Sequence, residues 1–250
     1  MNAKKWLRLK GIESIWSSAE GASLLLSVMA DGETACNGEV DILGPISEYI
    51  GPGPLQNMVY AHIEDEHRHS DMILGHLKSI GMSPRYVQDE LRYAKAFSRE
   101  LEIFQRGIQD DEDLAIMALI VMVFEERAIS EYELLLVSRV IPEEFKEIIQ
   151  EIIRDEKRHL GYCLRLANSY VSDSLLLNML LSKIRTLEAK VFSRYNMETL
   201  RVFTSRDCMG KGRWHRVWKF LASSSRTTFG LPDYTRFFHT SFDDLGKISR

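Results

Sequence analysis

The chain of 250 residues contains only three cysteines, Cys36, Cys163 and Cys208. They are far apart and form no C-x-x-C, so neither a zinc ribbon nor a rubredoxin-type iron centre is encoded. Such sparse cysteine fits a reducing cytoplasm, which is the expected compartment. Prolines number six and sit mainly at joints, and few stretches alternate with a period of two, so strands are not expected. Long apolar runs are also missing. The longest, LAIMALIVMVF at 114–124, is hemmed in by DDED and EER. It is too short to span a bilayer and reads as a buried core helix. SLLLSVMA, the nearest apolar run to the start, has eight residues and follows Glu20, so neither a signal peptide nor a transmembrane segment is expected. No G-x-G-x-x-G, P-loop or nucleophile elbow occurs. The formal net charge of -4 names no polyanionic partner.

What the sequence has instead is helix periodicity. A first helix is expected from about Ile12 to Ala30, stopping near Asp31-Gly32. A loop of about twenty residues follows, with room for one short helical turn. The second helix starts at Pro54, a residue suited to a first turn, and ends near 80–81. A connecting helix is expected over PRYVQDELRYAKAFSRELEIFQRG (84–107), a third helix over about Glu112 to Val140, and a fourth from Pro142-Glu143-Glu144 to Tyr170. A fifth covers Ser172 to Tyr195, and the chain from Asn196 on is less regular.

A short motif recurs. DEHRH (65–69) in the second helix and DEKRH (155–159) in the fourth both read D-E-x-R-H. Glutamate and histidine at i and i+3 share one helix face and can offer one cation an oxygen and a nitrogen. Two such pairs on facing helices, joined by a carboxylate from each of two further helices, make the dimetal carboxylate site of a four-helix bundle. The residues expected to supply it are Glu66, His69, Glu156, His159, Glu20 and Glu126. Phase selects Glu66/His69 over Glu64/His67. The former share a stripe with Val59, Ile73 and Ile80, the latter with Asn57, Asp71 and Lys78. Glu20 is flanked by Trp16 and Leu24, and Glu126 follows Leu119 and Met122. Glu125, one step away, remains a rival to Glu126.

A metal-bound histidine needs its other ring nitrogen tied down, usually by a carboxylate. Asp65 is therefore expected on His159 and Asp155 on His69, with Arg68 and Arg158 neutralising both. His62, Tyr132, Tyr162 and Trp16 lie near the site by phase, where packing competes with any direct role.

The paired motif resembles that of the ferritin-like diiron carboxylate superfamily, over about residues 12–170. D-E-x-R-H resembles the pairs of soluble acyl-carrier-protein desaturases. The order RYAKAF, FEERAISEY, DEKRH resembles diiron tRNA-modifying hydroxylases. The resemblance implies an all-α, ferritin-like four-helix bundle over 1–170 with a connecting helix; the basic, aromatic-rich C-terminal helical extension over 171–250, expected to pack on the bundle, belongs to none of these patterns. It also implies two iron ions (or manganese, or a mixed pair) with dioxygen or peroxide as co-substrate, and it makes the six residues above the ligands. The implied activity is hydroxylation, desaturation or N-oxygenation of a small or carrier-bound organic substrate. With no electron carrier of its own, such a protein needs an external reductase or ferredoxin.

Between Lys183 and Arg226 eleven basic residues stand against Glu188, Glu198 and Asp207. Within this segment Trp214, Val217, Trp218 and Leu221 form an apolar stripe amid Arg213, Arg216 and Lys219. It admits a nucleic acid, an acidic carrier or a membrane surface as partner, or simple packing on the bundle. A tRNA-modifying hydroxylase, a ferroxidase or peroxidase, and a non-catalytic interaction protein are the alternative functions. The sequence leaves the oligomeric state open, a dimer included.

Overall fold

The computed structural model describes residues 3–34, 40–206, 208–210 and 216–222. The described residues contain helices and no strand. In chain order the helices are α1 (Ala3–Trp16), α2 (Ala19–Glu33), α3 (Leu43–Ile50), α4 (Pro54–Ser79), α5 (Tyr93–Ser98), α6 (Ile103–Arg106), α7 (Asp111–Leu136), α8 (Glu143–Tyr170), α9 (Ser174–Ser205) and α10 (216–222), with a 3-10 turn at Asp89–Leu91. None is long and apolar enough to cross a membrane.

Side-chain caps set several of these starts. Ser18, in extended conformation, accepts from the Gly21 amide, Asp110 accepts from Asp113, and Asp173 accepts from Leu175 and Leu176. α4 opens on Pro54, and α8 follows Pro142 with Glu143 and Glu144 in its first turn.

Several boundaries differ from the sequence expectation; α1 begins at Ala3 rather than near Ile12, and α7 ends at Leu136 rather than near Val140. The first helix is broken at Ser17-Ser18, and the second piece runs through Asp31-Gly32 to Glu33. The connecting segment is not one helix. Residues 82–88 are non-helical, and side chains of α2 satisfy their backbone, with Ser23 donating to the Ser83 carbonyl at 2.6 Å and the Arg85 amide donating to Ser27 at 2.8 Å. These tertiary bonds override a helical pattern that is polar enough to go either way. Finally, α9 extends ten residues beyond Tyr195, to Ser205.

Two apolar cores stack along the long helices. One gathers Val59, Phe97, Leu114 through Phe124, Cys163 and Leu166. The other gathers Leu26, Ala30, Ile73, Leu77, Tyr132, Leu135, Phe145, Ile149 and Ile152. Running N to C, α4 and α7 pass from the first core to the second, and α8 passes from the second to the first. α7 and α8 are therefore an antiparallel pair, and α8 is likewise antiparallel to α4. The apolar run at 114–124 is buried throughout, as a core helix should be.

α9 lies on α7, held by the Arg127 guanidinium, which donates twice to Glu188 at 2.7 and 2.8 Å and covers the Phe192 ring at 3.9 Å. Tyr93 donates to the same carboxylate at 2.8 Å. Part of the basic charge of this segment is used internally, by Arg185 on Glu126, Arg194 on Glu100 and Arg201 on Glu198. In α10, Trp218 is buried and its indole donates to Ser14 at 3.1 Å, while Leu221 is exposed. Trp214, Arg213, Cys36 and residues 223–250 lie outside the described residues.

The segment 208–210 tucks against the α1–α2 joint, where the Gly210 amide donates to the Ser14 carbonyl at 2.8 Å. A Cβ on Gly21 would meet the carbonyl oxygens of Cys208 at 2.0 Å and Ile15 at 2.3 Å. Backbone cannot yield there as a flexible side chain would. Gly21→Ala is expected to cost about 1–3 kcal/mol, read as a lowered urea midpoint at unchanged m-value.

Candidate metal centre

Where the two apolar cores meet, a polar layer is shared by α2, α4, α7 and α8. α2 contributes Glu33, α4 contributes His62, Glu66 and His69, α7 contributes Glu125, and α8 contributes Glu156 and His159. All seven are buried. Their donor atoms fall into two groups, each within 4.8 Å of one another: His62, Glu66, Glu125, Glu156 and His159, and Glu33, Glu66, His69 and Glu156. Glu66 and Glu156 belong to both. Donors bonded at about 2.0–2.2 Å to one cation lie within about 4.4 Å of each other, so each group has the spacing of a coordination sphere with little movement.

Each imidazole turns one nitrogen inward and ties the other outside. His69 Nδ1 lies 3.2 Å from Glu33 and 3.3 Å from Glu156, and its Nε2 is 3.2 Å from Asp155. His159 Nδ1 lies 2.8 Å from Glu156 and 3.6 Å from Glu66, and its Nε2 is 3.2 Å from Asp65. His62 Nε2 lies 3.0 Å from Glu66 and 3.2 Å from Glu125, and its Nδ1 is 2.5 Å from the Tyr162 hydroxyl.

The aspartates are crossed between α4 and α8. Arg68 donates to Asp65 at 2.8 Å and Asp155 at 2.5 Å, and Arg158 donates to Asp155 at 2.8 Å and Asp65 at 2.5 Å. Burial works to raise both carboxyls. The arginine and histidine hydrogen bonds outweigh it, holding Asp155 below its ordinary value and Asp65 at about 2. Both aspartates are thus anionic acceptors for the histidine N–H groups at neutral pH. Asp155→Ala is expected to weaken divalent-metal affinity by about 10–100-fold, measured by calorimetric titration of the metal-stripped protein.

Two residues expected in the site lie elsewhere. Glu20 is in the first turn of α2 with its side chain 61% exposed, paired to Arg85. The break at Ser17-Ser18 places it there. On α2, Glu33 is thirteen residues further along, about 220° around the helix from Glu20 at 3.6 residues per turn, so the two face nearly opposite ways. Glu126 pairs with Arg185 of α9, 2.9 Å from its Nε, and its side chain is 34% exposed against 7% for Glu125. Trp16 packs on Phe145 at 5.4 Å between ring centres, and Tyr132 is in the second apolar core. Both sit above the polar layer. Sequence reasoning missed Glu33 by ending its helix at Asp31-Gly32. It places His62 near the site but not among the ligands, although its i, i+4 and i, i+7 spacing to Glu66 and His69 puts all three on one stripe.

The layer gathers four carboxyl groups in a site closed to water, too many to be buried ionised without counter-charge. Without a cation, protons must supply it. Burial, reinforced by the Glu156 carboxylate, pushes Glu33 and Glu125 up to about 7 and Glu66 well above its ordinary value. Burial would raise Glu156 too, but hydrogen bonds from His159 and His69 hold it at about 2. Burial favours a neutral His69 ring, yet Glu156 and Glu33 lift it to about 11. Glu33 and Glu125 therefore bind more protons folded than unfolded between about pH 4.5 and 7. Their stability contribution is complete below that window and lost as pH rises through it. The metal-free protein is expected to melt lower at pH 7.5 than at pH 5. Divalent cations held by these groups would replace the protons, so saturating Mn(II) should raise the melting temperature most at the higher pH.

Cys163 is buried beside Tyr162, and burial pushes its thiol up, so it packs as an apolar residue. Comparisons of this chain with protein-family models, with curated proteins and with solved structures find no match.

Proposed function

We propose that the chain is a ferritin-like four-helix dimetal carboxylate protein and an oxygen-activating oxidoreductase. Its substrate would be a small or carrier-bound organic molecule, undergoing hydroxylation, desaturation or N-oxygenation. The observation that carries this reading is the pair of buried donor groups sharing Glu66 and Glu156. Four carboxylates on neutral imidazoles carry a formal charge of -4, which two divalent cations would cancel. The adjacent Asp65 and Asp155 are already cancelled by Arg68 and Arg158.

Redox chemistry with dioxygen or peroxide would come from two iron ions, or a manganese or mixed pair, held by these residues. The chain's own contribution is positional. Glu66 and Glu156 would keep the two positions adjacent, and Asp65 and Asp155 would keep the Nδ1 lone pairs of His159 and His69 directed inward. The apolar cores above and below exclude bulk water. The sequence holds no C-x-x-C of a rubredoxin-type iron centre, so the reading calls for a separate reductase or ferredoxin as donor.

The test is anaerobic loading with two equivalents of ferrous ion, followed by dioxygen. Rapid oxygen uptake with a change in the visible spectrum is expected. If added reductant sustains no turnover and ferrous oxidation stays stoichiometric, the protein is a ferroxidase rather than an oxygenase. Absence of any oxygen uptake by iron-loaded protein contradicts the proposal.

A further inference from the structure

We propose that His62 is a third imidazole ligand, so that the two cation positions are unequal and small exogenous ligands enter at the Glu33/His69 position. This rests on the dimetal reading and deepens it. His62 is built like the other two ring donors. It is 1% exposed, its Nε2 faces the carboxylates of Glu66 and Glu125, and its Nδ1 is tied to the Tyr162 hydroxyl at 2.5 Å. Tyr162 thus stands where Asp155 and Asp65 stand for His69 and His159. The His62 ring also stacks on His159 with centres 3.6 Å apart and planes 22° apart, which fixes its orientation.

A neutral imidazole has one donor and one acceptor nitrogen. Without a cation, the Tyr162 hydroxyl can donate to Nδ1 while Nε2–H donates to the carboxylates. With a cation at Nε2, the proton resides on Nδ1 and is donated to the Tyr162 oxygen. The hydroxyl serves either state because it is both donor and acceptor, which an aspartate is not. Tyr162 is therefore a positioning residue for His62.

The inequality follows from counting donors. Besides the shared Glu66 and Glu156, one position has His62, His159 and Glu125, and the other has Glu33 and His69. With one atom from each residue, the first has five donors and the second four. A six-coordinate ion lacks one donor at the first and two at the second. Azide, as a small anionic probe, should therefore bind preferentially at the second.

The experiment is titration of the metal-stripped full chain with Co(II), followed by d–d absorption, azide addition and X-ray absorption. The wild type is expected to bind two ions with affinities at least about 10-fold apart, and azide should perturb the spectrum more strongly after the second equivalent than after the first. Three imidazoles shared by two ions should appear in the scattering. His62→Ala should weaken the tighter position by about 10–100-fold and leave the other nearly unchanged. Tyr162→Phe should weaken the same position by about 10-fold. Because the scattering count is made on the wild type, it stands even if a variant misfolds. Two bound ions sharing only two imidazoles, with His62→Ala matching wild type, would overturn this proposal and leave the dimetal reading intact. Failure of the wild type to bind Co(II) stoichiometrically would overturn both.

Discussion

Glu156→Gln is expected to lower divalent-metal affinity by more than about 100-fold at both positions while leaving the chain folded. Loss of an outer-shell partner alone costs about 10–100-fold, and Glu156 is a candidate donor to both cations at once. It also lies 2.8 Å from His159 Nδ1 and 3.3 Å from His69 Nδ1. Glutamine preserves its volume and one carbonyl acceptor but removes the charge. Without that charge, the remaining three carboxylates cannot balance two divalent ions in a buried site. Elemental analysis after reconstitution, beside a circular dichroism melt, separates loss of metal from loss of fold. Retention of two ions per chain by this variant would show that Glu156 is not shared.

The second large effect is a contrast between neighbours. Glu125→Ala should remove the cation at the His62/His159 position, whereas Glu126→Ala should keep both. Glu125 is buried against His62, and Glu126 is at the α7–α9 surface on Arg185. Loss of that partly exposed ion pair should cost no more than about 1 kcal/mol. Glu33→Ala and Glu20→Ala form the matching pair on α2, with metal lost only from the former. Metal-to-protein ratios of the four variants decide the assignment. A Glu126→Ala variant that lost metal while Glu125→Ala retained it would reverse it.

The reasons the sequence singled out some of these residues and not others are local. D-E-x-R-H on α4 and α8 is legible because both helices are amphipathic. One stripe is apolar, so Glu66, His69, Glu156 and His159 stand out as polar groups on the buried face, and Asp65 and Asp155 follow at the adjoining face. α7 offers no such contrast. Every residue from Asp113 to Glu125 is buried, so the helix has no polar face along that run to fix its phase, and adjacent glutamates cannot be ranked by periodicity. On α2 the obstacle was Asp31-Gly32, an ordinary stop signal. The helix continues through it, and Glu33 in the last turn is held in the layer by His69, a partner 36 residues away. The break at Ser17-Ser18 is a capping event, visible in the sequence only as two serines. The non-helical 82–88 segment depends on Ser23 and Ser27 of α2, which no local pattern reveals.

The overall all-helical class was legible from periodicity alone. So was the burial of the 114–124 run. The extent of α9 was not: its Arg185 and Arg194 resemble solvated charges until Glu126 and Glu100 are placed opposite the helix. Arg127 and Tyr93 converge on Glu188 from separate elements, and their contact exists only in three dimensions.

The most direct measurement is metal content per chain after anaerobic reconstitution with ferrous ion and removal of loosely held metal by gel filtration. The account predicts two iron ions per chain, reduced to none by Glu156→Gln. Purified, folded protein that retains no iron or manganese under these conditions would contradict it.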